Sequence, residues 1–243
     1  MGDRLQELET EVFAAEREWT VDEIPVLRAT LSLPRPVDRS SRAGRRIDRF
    51  YQLQARSYLR YCENWLLPRA AAEYRQALES SGPLPQCTAA LTYQITCSER
   101  GIWSLHTDTR ECLGGRPELL RRGDTWDLRT GYPIPLSAFF SRREPIRKHL
   151  LETAAEEIAR QEAAGIACYH EKWRQELRRS FNRENYFVTP EAVCFFWQMY
   201  AIAPWAEGIP TFRLPFGQRG SRWPVPELPD ACSSAEDGGG AAI

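Results

Sequence analysis

Residues 185–216 read NYFVTPEAVCFFWQMYAIAPWAEGIPTFRLPF, and this stretch decides the fold of the second half of the chain. Within it, residues 193–200 are apolar at nearly every position, which is typical of a central strand that is covered on both faces. A Thr189-Pro190 turn separates that strand from the one before it. The pattern predicts three strands: Tyr186–Val188, Val193–Ile202 and Thr211–Leu214.

Two helices are expected ahead of this stretch. Apolar residues recur at three- and four-residue steps from Ile146 to Ile158, which indicates the buried face of a helix. Residues 141–144, SRRE, match a capping box, so this helix should begin there and run to about Ala163. A shorter helix is predicted over His170–Ser180.

The first half of the chain combines one long helix with a series of strands. Apolar positions between Arg45 and Leu66 follow helical spacing, and Pro68 should kink or end that helix. Residues 1–20 fit either a short helix or an edge strand. Strands are predicted over residues 23–33, 91–97, 102–108 and 124–129, the last three as an antiparallel meander.

Together these elements predict an α+β fold, with an antiparallel sheet and packed helices in two consecutive small α/β subdomains. The chain beyond Gly217 holds mainly Pro, Gly, Ser and small residues without periodicity, which favours disorder. The expected organisation is an N-terminal segment (1–20), an N-terminal α+β subdomain with the long helix and the meander (21–120), a C-terminal domain (121–217) and a disordered tail (218–243).

The composition of the 243 residues excludes some classes of partner. A net charge of −1 argues against a nucleic-acid-binding surface, although all basic residues except Lys148 and Lys172 are arginines. The seven cysteines are odd in number and form no C-x-x-C pair, which favours reduced thiols in the cytoplasm. The charged first twenty residues do not resemble a signal peptide, and no apolar stretch has the length of a membrane span, so no membrane partner is expected.

The second half carries a family resemblance. The order DTWDLRTGYPIPLSAFF, helix, then residues 185–216 resembles the bacterial domain of unknown function DUF3298, found at the extracellular end of the anti-sigma factor RsiV. Residues 23–113 resemble the smaller domain that usually precedes it (DUF4163), which also occurs in a bacterial polysaccharide deacetylase. The residues of the second half that match the DUF3298 motif are Asp127, Thr130, Gly131, Leu136, Phe139, Phe140, Tyr186, Phe187, Thr189, Tyr200, Ala203, Pro204, Trp205, Gly208, Phe212 and Pro215.

The resemblance implies an α+β sandwich whose precedent is protein binding and not catalysis, because RsiV senses lysozyme by binding it. This sequence departs from RsiV because it shows no transmembrane helix and no sigma-binding segment. Membrane-anchored anti-sigma signalling is therefore not carried over. Fold transfers between such relatives better than function does.

His106, Asp108 and Cys112 are the only group in the sequence that suggests catalysis or metal binding. His106 and Asp108 would share one face of a strand, and a thiol needs a nearby base to act as a nucleophile. Zinc would need a further ligand at a recognisable spacing, and none follows. The same three residues are also expected if this strand simply has polar side chains on the solvated face of a hairpin. We therefore expect no catalytic residues, no metal and no cofactor.

The candidate binding residues lie mainly in the loop of residues 203–208, because loops between rigid strands often carry binding side chains. Two interpretations of this loop stay open. Trp205 either packs beneath the sheet while Gly208 supplies a positive-φ turn, or it is an exposed interface anchor. Two motif positions complete the candidate set, which is Trp205, Glu207, Gly208, Tyr200 and Asp127.

A second feature is the basic start of the long helix, formed by Arg42, Arg45, Arg46 and Arg49. Cations there oppose the helix dipole, so nearby acids or an acidic partner could compensate. The function predicted from the sequence is a non-enzymatic binding or sensing module for a protein or glycan. The alternatives are a small hydrolase or cell-wall-related enzyme that uses the His106, Asp108 and Cys112 hairpin, and a subunit whose apolar surface a partner covers; the oligomeric state stays open.

Overall fold

The structure, a computed structural model, describes residues 7–224, and it confirms the predicted α+β class. Its strands are β1 (Thr10–Val21), β2 (Ile24–Pro36), β3 (Cys87–Glu99), β4 (Ile102–Leu113), β5 (Arg116–Asp127), β6 (Tyr132–Pro133), β7 (Tyr186–Val188), β8 (Ala192–Phe196) and β9 (Thr211–Pro215). Its α-helices are α1 (Arg42–Tyr61), α2 (Leu67–Glu79), α3 (Ile146–Ala163) and α4 (Trp173–Arg179). Within residues 7–224, no helix is long and apolar enough to cross a membrane.

The larger sheet has six strands in the order β1-β2-β3-β4-β5-β6. The predicted meander forms β3, β4 and β5, and the N-terminal segment forms an edge strand, not a helix. The β2–β3 pair is parallel, with Leu27 opposite Cys87, whereas the other pairs in this sheet are antiparallel. A parallel pair needs a crossover connection, which the helical segment from α1 to α2 provides.

A π-helical turn interrupts the long helix. Ser41 caps α1 by accepting a hydrogen bond from the Gly44 N–H at 3.0 Å, and residues Cys62–Leu66 then form the π-helix before α2. Pro68 lies in the first turn of α2, directly after this π-helix. The interruption predicted at Pro68 is thus found one turn earlier.

The first hydrophobic core lies between α1, α2 and one face of the six-stranded sheet. Six of its side chains are almost completely buried: Leu27, Leu33, Ile47, Leu66, Trp103 and Leu105. Burial of each such side chain stabilises the fold by about 1.5–3 kcal/mol before entropy is subtracted. This face of the sheet is mainly apolar, although Tyr51 of α1 donates a hydrogen bond to the buried Asp124 of β5 on it. Ser104, His106 and Asp108 of β4 lie on the opposite face.

The second core lies between the smaller sheet, β7-β8-β9, and the helices α3 and α4. The prediction that the apolar stretch forms a central strand is confirmed, because β8 pairs with both β7 and β9. The predicted strand to Ile202 is too long, since β8 ends at Phe196. Beyond it the chain turns, with Tyr200 in the left-handed region at φ 67° and the Ala201 N–H donating to the Gln198 carbonyl.

The predicted capping box at residues 141–144 is wrong. Helix α3 begins at Ile146, and Ser141 provides only a backbone carbonyl, which accepts from the Glu144 N–H. The reason is Pro145, because the residue before a proline is sterically kept out of helical backbone geometry. Glu144 therefore cannot be the third residue of a helix, and its carboxylate instead bonds the His149 imidazole at 2.9 Å.

Residues 218–224, which belong to the predicted tail, lie against the second core. Ser221 forms an isolated bridge with Phe140, and the Trp223 ring contacts the Phe216 ring at a centroid distance of 5.3 Å. The rest of the predicted tail, residues 225–243, lies outside the described residues, as do residues 1–6 of the N-terminal segment.

Candidate functional site

The smaller sheet covers the polar face of β3, β4 and β5. The Ser104 hydroxyl accepts a hydrogen bond from the Val188 N–H at 2.9 Å, and the Thr96 hydroxyl donates to the Val188 carbonyl at 2.7 Å. A side chain on Gly123 would place its Cβ 1.7 Å from the Tyr186 carbonyl oxygen. The two sheets therefore approach so closely at Gly123 that only glycine fits there.

A buried ion pair lies on this covered face. Arg121 of β5 binds both carboxylate oxygens of Asp108 at 2.8 Å, and the Nδ1 atom of His106 lies 3.2 Å from the same carboxylate. Burial alone would raise the pKa of Asp108, but the hydrogen bonds from Arg121 and His106 outweigh it and hold this pKa well below its usual range. Asp108 is thus a fixed anion that Arg121 neutralises.

Only part of the predicted catalytic group is brought together. His106 and Asp108 are in contact, but Cys112 lies six residues beyond His106 along β4, which is roughly 20 Å in an extended strand. The His106 ring is also buried and contacts Phe187 at a centroid distance of 5.1 Å. These residues do not form a nucleophile and base, and within residues 7–224 no three His, Cys, Asp or Glu side chains cluster as metal ligands.

The cysteines give a direct test of burial. Burial raises the pKa of Cys62, Cys87, Cys97 and Cys194 to about 11, whereas Cys168 is exposed and Cys112 is partly exposed. Because the thiolate is the reactive form, we expect a thiol reagent to modify Cys168 first and Cys112 next in the native protein.

The other four cysteines should react only after denaturation. A Cys232→Ser variant removes the cysteine that lies outside the described residues, so that every modified thiol belongs to a cysteine whose burial is known. Peptide mass spectrometry assigns each modified site. Rapid native modification at Cys62 or Cys194 would contradict the burial described above.

Residues 198–200 follow the outer edge of β5. The side-chain amide of Gln198 donates to the Arg121 carbonyl at 2.7 Å and accepts from the Arg121 N–H at 3.0 Å. The Tyr200 hydroxyl donates to the Pro117 carbonyl at 3.1 Å. These three bonds tie the start of the loop to the larger sheet, and they give Tyr200, a predicted site residue, a positioning role.

Trp205 begins a short 3-10 turn, Trp205–Glu207, and 60% of it is exposed. The structure therefore favours the exposed interpretation of this tryptophan over the one in which it packs beneath the sheet. Gly208 ends the turn at φ 65° and ψ −123°, backbone geometry that is open essentially only to glycine, as expected.

A groove of about 400 Å³ lies between this loop and the end of the larger sheet. We call it the Trp205 groove. Its apolar lining is formed by Ala90, Pro117, Leu119, Met199 and Trp205. The lining also includes Thr88, Cys112, Gly208 and the charged side chains Arg110, Glu111 and Glu118. Apolar concave surfaces with a few polar groups are typical of binding sites.

Two other predicted residues have contacts within the chain. Glu207 accepts a hydrogen bond from the Cys168 N–H at 2.9 Å, which fixes the loop to the segment before α4. Asp127 accepts from the Arg129 N–H at 2.8 Å and from the Thr130 hydroxyl at 3.1 Å, which closes a turn. Asp127 ends β5, ten residues from Pro117 and roughly 33 Å away, so it lies far from the Trp205 groove.

The basic start of α1 finds partners within the chain. Arg46 donates to the Thr130 carbonyl at 2.6 Å, and its guanidinium lies 3.9 Å from the centre of the Tyr132 ring. Arg45 donates to the Ser40 carbonyl. Two of the four arginines, Arg45 and Arg46, thus have partners within the chain that are not acidic.

The arrangement defines a two-sheet α+β protein with an exposed apolar groove, the Trp205 groove, beside its sheet–sheet junction. Residues 138–217 match the family model described as "Protein of unknown function (DUF3298)", which confirms the sequence resemblance over that segment. A search of curated proteins gave no match.

Two crystal structures of DUF3298 family proteins resemble the fold. A member from Bacteroides fragilis has a TM-score of 0.61 and 13% identity, and one from Pseudomonas aeruginosa has a TM-score of 0.54 and 18% identity. Each comparison covers 86% of this chain and 91% of the other. At these identities the likeness establishes the fold alone.

Proposed function

We propose that this protein is a non-enzymatic binding module that takes an apolar side chain of a protein ligand into the Trp205 groove. The observation that carries the proposal is the exposed Trp205 ring beside a cavity of about 400 Å³ with a mainly apolar lining. Tryptophans in such positions supply much of the binding energy of protein interfaces. Met199 adds an adaptable apolar surface to the same groove.

The groove is held in shape before any ligand arrives. Gln198 and Tyr200 bond the backbone of β5, and Glu207 bonds the Cys168 N–H on the other side of the loop. Ile202 and Ala203, which lie between these anchors, are completely buried. A preformed site avoids the free-energy cost of ordering a loop on binding, which favours a recognition role.

A protein ligand fits this groove better than the other expected ligand, a glycan. Ala90, Pro117, Leu119 and Met199 offer apolar surface but no side-chain hydrogen-bond donor or strong acceptor. A sugar hydroxyl buried against these four side chains would lack a side-chain partner, at a cost of about 1–3 kcal/mol, so this apolar part of the lining favours an apolar side chain. The protein-binding precedent of the RsiV-like resemblance supports the same choice.

The hydrolase alternative is less well supported. Its base, His106, is buried under Phe187, and its nucleophile, Cys112, lies roughly 20 Å away along β4. We further propose that the protein works in a reducing compartment such as the cytoplasm, which the six free cysteines of the described residues support.

The test is a Trp205→Ala substitution. We expect the affinity for groove-binding peptides, selected from a displayed library of linear twelve-residue peptides, to fall at least about 30-fold, which corresponds to about 2 kcal/mol. The melting temperature should stay nearly unchanged because the ring is mostly exposed. Biolayer interferometry measures the affinity, and circular dichroism measures the melting.

A matched control exists in Trp65, which is 69% exposed on the π-helical turn and is not part of the Trp205 groove. Trp65→Ala should leave peptide affinity within about twofold, as expected for a residue outside the interface. Equal losses from the two substitutions would contradict a site at the groove. If the protein instead binds a sugar from a glycan panel, and Trp205→Ala abolishes that binding, the ligand of the groove is a glycan and not a protein.

A further inference from the structure

The outer edge of β5 is open along most of its length. Strand β6 covers only Trp126 and Asp127. In an antiparallel strand the N–H and C=O of one residue point to the same side, and that side alternates along the chain. The Thr125 carbonyl accepts the Ile134 N–H at 2.8 Å on the outer side, so Gly123, Arg121, Leu119 and Pro117 also present their backbone groups outward.

Most of these outward backbone groups are satisfied or covered. Gln198 pairs with both the N–H and the C=O of Arg121, and Tyr200 pairs with the carbonyl of Pro117, which has no N–H. Gly123 lies directly against the Tyr186 backbone. The register of β4 and β5 has no bulge, so the alternation is unbroken from Arg116 to Asp127.

Leu119 is the exception. Among the described residues, no hydrogen-bond partner is found for its outward N–H or its outward C=O. Leu119 also lines the Trp205 groove. An unused backbone donor and acceptor therefore lie side by side at the groove, between the edge contacts of Gln198 and Tyr200.

We propose that an extended polypeptide segment of a partner protein binds here by pairing one of its residues with the N–H and C=O of Leu119. This inference rests on the proposed function and names how the ligand is held. A peptide residue in extended conformation offers an N–H and a C=O on one side, which matches what Leu119 presents. The side-chain amide of Gln198 makes the same pair of bonds with Arg121.

The proposed backbone pairing between the peptide and the edge of β5 involves only one residue of each. Gln198 and Tyr200 occupy the edge at Arg121 and Pro117, which are roughly 13 Å apart along the strand, so one ligand residue fits between them. The two backbone bonds fix the direction of the peptide. The apolar side chain that enters the Trp205 groove then determines which peptide is preferred.

Amide hydrogen exchange tests this inference in the intact protein. In the free protein, the Arg121 N–H should exchange at least about 100-fold more slowly than the Leu119 N–H, although both point outward, because only Arg121 is bonded. A saturating groove-selected peptide should slow exchange at Leu119 at least about 10-fold. An unchanged exchange rate at the Leu119 N–H in the complex overturns the pairing. If, without peptide, exchange at Leu119 slows as the protein concentration rises, the edge binds a second copy of this chain, which also overturns the inference.

A pair of substitutions isolates the N–H. Leu119→Ala shortens the side chain but keeps the N–H, whereas Leu119→Pro also removes it; Pro117 shows that this edge accepts a proline whose nitrogen faces outward. We expect peptide affinity to be at least about 10-fold lower for Leu119→Pro than for Leu119→Ala. N-methylation of one peptide residue should have the same effect on the unsubstituted protein.

The outcomes separate this inference from the proposed function. If Trp205→Ala weakens binding while Leu119→Pro and N-methylation do not, the groove is the site and the backbone pairing is wrong. If no selected peptide depends on Trp205, the proposed function fails and the pairing fails with it. If Leu119→Pro does not fold, the exchange rate at Leu119 still decides.

Discussion

Gly123→Ala is expected to prevent folding or to destabilise the protein by about 3 kcal/mol or more, at or beyond the upper end of overpacking effects. The added Cβ would lie 1.7 Å from the carbonyl oxygen of Tyr186 and 2.6 Å from its carbonyl carbon. Both are backbone atoms of β7, so no rotamer change relieves the clash. The smaller sheet would have to move away from β5.

Gly82→Ala is the matched control for this prediction. The nearest atom to its added Cβ is the flexible Ser80 hydroxyl at 3.2 Å, so a change within about 1 kcal/mol is expected. Urea denaturation followed by tryptophan fluorescence measures both free energies of unfolding. Similar values for the two variants would mean that β5 and β7 do not meet at Gly123.

The sequence predicted the elements of the fold better than their arrangement. Period-two alternation located β3 and β4, and the unbroken apolar stretch identified β8 as a central strand. Alternation specifies which side chains share a face, but it does not specify which strand pairs with which. The parallel β2–β3 pair and the contact of Gly123 with β7 depend on that long-range arrangement. The single glycine in RRGDTW therefore did not indicate that another strand lies against it.

The candidate site shows the same division between local and long-range information. Trp205 was found because its loop joins two core strands, and the structure exposes it beside the groove. Asp127 was grouped with it only through the motif, and it lies at the far end of β5. Leu119 and Met199 were missed because they meet only when the loop folds over the sheet, and each is an ordinary apolar residue in its own segment.

Arg121→Ala should destabilise the protein at neutral pH by about 3–5 kcal/mol, because it leaves the Asp108 carboxylate buried without its bidentate partner. The Arg121 side chain also donates to the Thr211 hydroxyl at 3.3 Å, so the loss reaches the smaller sheet. Urea denaturation at pH 7 measures the effect. A loss below about 1 kcal/mol would indicate a solvated pair.

The pH dependence of stability identifies the cause of that loss. The folded-state pKa of Asp108 is depressed, so its contribution is present above the unfolded value of about 3.9 and disappears as pH falls toward the lower folded value. The unsubstituted protein should therefore lose stability between about pH 5 and pH 2, and Arg121→Ala should lose less over the same window. A double variant, Asp108→Leu with Arg121→Met, removes both charges and should recover most of the stability at pH 7. If the double variant stays as unstable as Arg121→Ala, the loss comes from packing against the smaller sheet and not from the unpaired carboxylate.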